Sequence, residues 1–186
     1  MGRPISSSSS MSLIFLLPYI FLLSVEIFNS NLTANAVTPI IQRACDSSTV
    51  KDFCYNVFGN NTMAERARTK YNIEDVTIQM AYSNYSNIAR KIVTVTSNET
   101  NPEFKQLYKK CLHQYVLLKY DFEYLNSMLI FRGDLDEASQ RASTRLQTCI
   151  NYFYYSPKVS NPFAKDNENL SYFFELIRDI YLTSFD

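Results

Sequence analysis

Apolar residues recur at alternating steps of three and four positions through four long segments of this chain. The four apolar stripes consist of Ala64, Ala67, Tyr71, Ile78, Ala81, Tyr85, Ile88, Ile92 and Val95; Phe104, Tyr108, Cys111, Tyr115, Leu118, Phe122, Leu125 and Leu129; Leu135, Ala138, Ala142, Leu146, Cys149 and Phe153; and Leu170, Phe174, Ile177 and Tyr181. This spacing is typical of helices that pack nearly parallel to their neighbours. With only three Gly and six Pro, a β-rich fold with many tight turns is disfavoured. The sequence therefore predicts an all-α fold.

Helix boundaries are marked between the stripes. Asn101 can cap a helix whose first residue is Pro102. Gly133 is expected to end the second helix in the left-handed conformation, and Asp134 with Glu137 resembles a capping box at the start of the third. These features predict an up-down four-helix bundle, with residues 38–58 as an added helical hairpin.

One charged residue, Glu74, interrupts the first stripe. A charge in such a pattern indicates either a slip in the helical register or a buried functional carboxylate. We interpret Glu74 as a register slip.

The N-terminal segment has the pattern of a secretory signal. Residues 13–25 form an apolar run that is too short to span a bilayer comfortably, and Ala34-Asn35-Ala36 fits the small-x-small cleavage rule. We expect residues 1–36 to be removed, which leaves one domain over residues 37–186. No second apolar stretch of spanning length follows, so we expect a secreted protein of the apoplast, or alternatively of the vacuole, without a membrane contact.

Four cysteines follow the expected cleavage site: Cys45, Cys54, Cys111 and Cys149. In a secreted chain an even number of cysteines indicates disulfides. Three pairings are possible, and the pairing of sequence neighbours closes the smallest loops.

Four glycosylation sequons follow the expected cleavage site as well. Their asparagines are Asn60, Asn84, Asn98 and Asn169. Asn98 is expected in a polar break between helices, whereas Asn84 falls within a helix beside an apolar stripe.

Residues that would support catalysis are scarce. The one histidine, His113, lies off the second stripe and is expected to be a solvated helix residue. No motif for nucleotide, zinc or di-iron binding occurs, so we predict no catalytic, metal or cofactor residues and no enzyme activity. The net charge of zero argues against a nucleic-acid partner.

Taken in order, these features resemble the plant invertase and pectin methylesterase inhibitor family. The shared features are a signal peptide, Cys-x8-Cys near the mature N-terminus, Cys-x3-Tyr at Cys111–Tyr115, the break Gly133-Asp134, a fourth cysteine before an aromatic residue at Cys149–Phe153, and Pro162–Asn167 before a last apolar helix. The resemblance implies a four-helix bundle with an N-terminal helical hairpin. It also implies disulfides that pair the first cysteine with the second and the third with the fourth.

The resemblance further implies a protein that binds and blocks a carbohydrate-active enzyme in a one-to-one complex. Invertase inhibitors of the family commonly carry Pro-Lys-Phe directly after the Gly-Asp break, in a segment that enters the invertase active site. Here Leu135-Asp136-Glu137 follows the break. A pectin methylesterase is therefore the favoured target, with acid invertase and a non-inhibitory extracellular binding role as alternatives. Tyr120, Tyr124 and Arg141, which lie off the stripes, are the expected partner contacts.

Overall fold

The computed structural model describes residues 37–185, and the expected signal segment with its cleavage site lies outside them. The secondary structure of this part consists of α1 (Pro39–Asp46), α2 (Lys51–Phe58), α3 (Thr62–Arg66), α4 (Lys70–Asn98), α5 (Pro102–Phe131), α6 (Leu135–Tyr154) and α7 (Ala164–Leu182). No strand occurs between residues 37 and 185. The all-α prediction is confirmed.

The four long helices form the expected up-down bundle. Helix α5 packs between α4 and α6, and α7 packs between α6 and α4. Large side chains fill the space between them, among them Tyr115, Phe122 and Phe174, each at most 1% exposed. A disulfide from Cys111 to Cys149 joins α5 to α6.

Helices α1 and α2 form the N-terminal hairpin, which is closed by a disulfide from Cys45 to Cys54. Its apolar side chains share a second core with the beginning of α4 and the end of α7. The hairpin turn also binds α7, because Ser48 Oγ and the Thr49 amide donate hydrogen bonds to Asp179 Oδ2 at 2.9 and 2.7 Å. The hairpin and the two disulfides of the predicted fold are thus present.

The predicted helix caps are formed. Asn101 Oδ1 accepts a hydrogen bond from the Glu103 amide at 2.9 Å, next to Pro102 at the first position of α5. Asp134 Oδ1 accepts one from the Glu137 amide at 3.0 Å. These side chains satisfy backbone donors that a helix start leaves unpaired.

The end of α5 differs from the prediction. The left-handed residue is Arg132, with φ 58°, and the prediction that Gly133 adopts this conformation is wrong. The Gly133 amide donates to Met128 O at 2.8 Å, and a Cβ on Gly133 would lie 2.7 Å from Met128 Sδ. A side chain at Gly133 would displace the flexible end of Met128, and the φ angle of Gly133 does not itself call for glycine.

The first apolar stripe is divided between two helices. Helix α3 ends at Arg66, Ala67 has an extended backbone, and α4 begins at Lys70. Thr69 caps α4 by accepting a hydrogen bond from the Asn72 amide at 3.2 Å. A threonine cap restarts the helix while the apolar spacing continues across the break.

Glu74 lies inside the bundle, at 6% exposure. Ile78, Ala81 and Tyr85 follow it at the three- and four-residue steps of the stripe, and all three are buried. The register therefore continues through Glu74 without a slip, and the interpretation as a slip is wrong.

Within residues 37–185, no helix has both the length and the apolar character needed to cross a membrane.

Candidate protein-binding surface

The antiparallel helices α5 and α6 share a polar and aromatic surface, which we call the α5–α6 face. It comprises Lys110, Gln114, Tyr120, Asp121 and Tyr124 of α5 and Arg141, Arg145 and Tyr152 of α6. Near the disulfide, Gln114 Nε2 donates to Tyr152 Oη at 3.2 Å, and Lys110 Nζ lies 5.9 Å from the centre of the Tyr152 ring. These contacts link the two helices on the outer side of the core.

A buried carboxylate organises the middle of the α5–α6 face. The Asp121 side chain is 0% exposed, and Arg141 Nε and Arg145 Nε lie 2.6 and 3.3 Å from its two oxygens. Each arginine side chain keeps 40% or more of its surface exposed. A buried charge is tolerated when it is paired and hydrogen-bonded in this way. Asp121 therefore holds two guanidinium groups in fixed positions at the surface.

The three predicted contact residues all lie on the α5–α6 face. Tyr120 is 57% exposed, and the half-buried Tyr124 follows one turn later and packs against the core. The Arg141 guanidinium lies 5.1 Å from the centre of the Tyr124 ring, at a distance that allows a cation–π interaction. Tyr124 and Arg141 thus contact each other, and Tyr120 is exposed one helical turn before Tyr124. Their contact with a partner stays a prediction.

Sequence reasoning missed Asp121 and Arg145. Asp121 lies between the stripe residues Leu118 and Phe122, so its position already predicts burial on α5. Arg141 and Arg145 are four residues apart, which places both on one side of α6. An acidic residue at a buried position of one helix, with two arginines four residues apart on the next helix, is the sequence pattern that would have predicted this cluster.

The aromatic run at the end of α6 is split between the core and solvent. Phe153 is 5% exposed, whereas Tyr154 and Tyr155 are 76% and 77% exposed. The rings of Tyr154 and Tyr155 meet edge to face, with their centres 5.2 Å apart. Exposed tyrosines of this kind are enriched at protein interfaces.

The segment after Gly133-Asp134 is the first turn of α6. Leu135 is 2% exposed, and Asp136 accepts hydrogen bonds from Arg178 of α7 and from Gln140. The hydrogen bond from Arg178 holds the pKa of Asp136 below its usual value. Leu135 is therefore held in the core and Asp136 against α7, while Glu137 is exposed, and the segment is a helical turn rather than a projecting loop.

Groups suited to catalysis do not converge in the described part of the chain. His113 is exposed on α5. No group of three or more His, Cys, Asp or Glu side chains between residues 37 and 185 could hold a metal ion. The arrangement on the α5–α6 face can bind and orient a partner through rings and fixed charges.

The four sequon asparagines have different surroundings. Asn60 and Asn98 are exposed, and Asn98 is the last residue of α4 rather than part of the break after it. Asn169 is half-buried in α7. Asn84 is half-buried in α4, and its Oδ1 atom is buried without a hydrogen-bond partner. Asn60 and Asn98 are the sites at which a glycan would meet the least obstruction.

The family model for plant invertase/pectin methylesterase inhibitors matches residues 39–180 of the chain. Among solved structures, the chain is similar to the crystal structure of a mutant form of a pectin methylesterase inhibitor from Arabidopsis. The TM-score is 0.66 at 14% sequence identity, over 80% of this chain and 100% of that one. No curated protein matches the sequence.

Proposed function

Because the chain belongs to the plant invertase/pectin methylesterase inhibitor family, we propose that it is a secreted inhibitor that binds and blocks a plant pectin methylesterase. Residues 1–36 are removed on secretion, and the domain from Val37 acts in the apoplast. Asn60 and Asn98 carry the glycans, since they are exposed in the fold.

The observation that carries the choice of target is the structure of residues 135–137. In invertase inhibitors of the family this position commonly carries the segment that enters the enzyme. Here Leu135 is buried and Asp136 is bound to Arg178, so neither is available to fill an active site. The target favoured by this arrangement is the family's other enzyme class.

The α5–α6 face supports a stoichiometric binding mode. Its two helices are joined by the Cys111–Cys149 disulfide, and its arginines are held by Asp121. A surface that is rigid before binding loses little conformational entropy in the complex. The exposed Tyr120 and the Tyr124–Arg141 pair supply residue types that dominate binding energy at interfaces.

The target is tested by mixing the disulfide-bonded protein with purified pectin methylesterases and acid invertases in separate activity assays. We expect esterase activity to fall in proportion to added protein until the two are equimolar, and invertase activity to stay unchanged. The matched control is protein that has been reduced and alkylated, which lacks both disulfides.

Inhibition of invertase alone would contradict the proposal and establish the first alternative. If neither enzyme class is inhibited, the bundle serves another extracellular binding role and the proposal fails.

A further inference from the structure

The charges of this neutral chain are unevenly distributed. No Asp or Glu occurs between Glu103 and Asp121, nor between Glu137 and Asp166. The basic residues within these two acid-free stretches are Lys105, Lys109, Lys110, Lys119, Arg141, Arg145, Lys158 and Lys165. The net charge of zero therefore conceals two long basic stretches.

The fold brings these two stretches together. The disulfide from Cys111 to Cys149 places the first half of α5 against the second half of α6. Lys110 Nζ lies over the ring of Tyr152, and Lys109 and Lys110 are both exposed. Asp166, the first acid after the second stretch, is already paired with Lys91 at 2.6 Å. Along α5 the acids nearest to Lys109 and Lys110 are Glu103, six residues before Lys109, and Asp121, whose carboxylate is already bound by two arginines.

Two exposed rings follow Tyr152 at the end of α6, in a turn that is anchored at both ends. Phe153 and Val159 are each 5% exposed and hold the two ends of the segment in the core. Between them, Tyr154, Tyr155 and Lys158 are exposed. We call the set Lys109, Lys110, Tyr152, Tyr154, Tyr155 and Lys158 the lysine–tyrosine end of the bundle. It combines positive charge with flat apolar surfaces on a segment whose two ends are anchored in the core.

From this charge and shape we infer that the lysine–tyrosine end binds an acidic polysaccharide, namely a polyuronate with free carboxylates. The lysines pair with carboxylates along the polymer, while the C–H faces of sugar rings pack on the tyrosines. The choice of a uronate among polyanions rests on the proposed function. A pectin methylesterase leaves free carboxylates on its polymer, so an inhibitor of that enzyme works beside a polyuronate.

This end shares Lys110 and Tyr152 with the α5–α6 face but contains none of the three predicted enzyme contacts. Tyr120, Tyr124 and Arg141 lie farther along the α5–α6 face, towards the turn that joins α5 to α6. The inhibitor can therefore hold the polymer at one end while its enzyme contacts remain available, which would keep it at the site of enzyme action.

The test is calorimetric titration of the disulfide-bonded protein, secreted from the full-length chain, with a short oligogalacturonate in EDTA-containing buffer. No esterase is present, so the result does not depend on inhibition. We expect binding that weakens steeply with added salt and that is lost when the carboxyls are methyl-esterified.

Two paired variants locate the site. Lys109→Gln with Lys110→Gln should weaken binding about fivefold or more, and Tyr154→Ser with Tyr155→Ser about tenfold. The matched control, Lys51→Gln with Lys119→Gln, removes the same charge from two exposed lysines outside the lysine–tyrosine end, which pair with Asp46 and Glu123, and should bind within about twofold of the unchanged protein. Melting curves check that each variant is folded.

Absence of binding to the oligogalacturonate overturns the inference, and so does equal weakening by the control pair. If a single-stranded oligodeoxynucleotide of equal charge binds as tightly, the site recognises polyanions in general and the assignment to a uronate is wrong. Loss of oligogalacturonate binding in the tyrosine variant, together with unchanged inhibition of the esterase, would establish two separate surfaces.

Discussion

Two buried carboxylates of this bundle have opposite surroundings. Asp121 is bound by two arginines, whereas Glu74 accepts no hydrogen bond within residues 37–185, and Lys70 Nζ lies 3.9 Å from its Oε1 atom. Burial raises the pKa of Glu74, and the positive charges of Lys70 and Arg132 offset this only in part. The ionised form of Glu74 is therefore disfavoured in the folded protein.

The substitution Glu74→Gln tests this assignment through the pH dependence of stability. Since the pKa is raised on folding, the folded state binds the proton more tightly, and stability falls as pH rises through the folded pKa. Glutamine carries no charge to bury, so we expect the variant to melt at a higher temperature than the unchanged protein at pH 7. At a pH below the ordinary carboxyl pKa of 4.5 the two should melt together.

The control for this prediction is Asp121→Asn, which removes a carboxylate that two arginines hydrogen-bond. It should destabilise the protein at pH 7, because two partly buried guanidinium groups lose their partner. If Glu74→Gln is also destabilising at pH 7, the ion pair with Lys70 outweighs the cost of burial.

At the scale of elements, the four long helices could be predicted because each is marked by a pattern within its own sequence. The apolar spacing gave their buried faces, and Asn101 and Asp134 gave two of their starting points. The break before α4 could not be predicted, because the apolar spacing runs through it. Many other residues of the chain could serve as helix caps, so Thr69 does not stand out as one. The Arg132 conformation was missed because glycine is the usual residue in the left-handed position at a helix end, and here the residue before the glycine adopts it.

The two disulfides should contribute differently to stability. The Cys111–Cys149 bridge spans 38 residues and the Cys45–Cys54 bridge spans 9. In the loop-entropy model, replacing both cysteines of a bridge by serine costs about 4 kcal/mol for the longer loop and about 2.5 kcal/mol for the shorter. Urea denaturation of the two double variants checks this order.

The reverse order would contradict the loop-entropy account. It would show instead that the hairpin disulfide supports the second core, which the hairpin shares with α4 and α7.

For the whole molecule, two of the three predicted contact residues, Tyr124 and Arg141, contact each other, but the sequence did not show what organises the surface around them. Tyr120, Tyr124 and Arg141 were chosen because they lie off the stripes, and this criterion needs only helical geometry. The Asp121–Arg145 contact depends on the register between two helices, which a single sequence does not reveal. The lysine–tyrosine end could not be predicted for a similar reason, because the net charge adds up residues that the fold places on different faces.

The central claim is that the bundle inhibits a pectin methylesterase through the α5–α6 face. The measurement that tests it most directly is titration of a sensitive esterase with the unchanged protein and with Tyr120→Ala combined with Tyr124→Ala. Tyr154→Ser combined with Tyr155→Ser serves as the matched control, because it removes two exposed tyrosines that are not part of the α5–α6 face. Melting curves for all three confirm that they are folded.

We predict that activity falls linearly to a one-to-one endpoint with the unchanged protein and with the control. The Tyr120 and Tyr124 variant should need about tenfold or more protein for the same inhibition. Full inhibition by that variant at equimolar amounts, or no inhibition of any esterase by the unchanged protein, would contradict the claim.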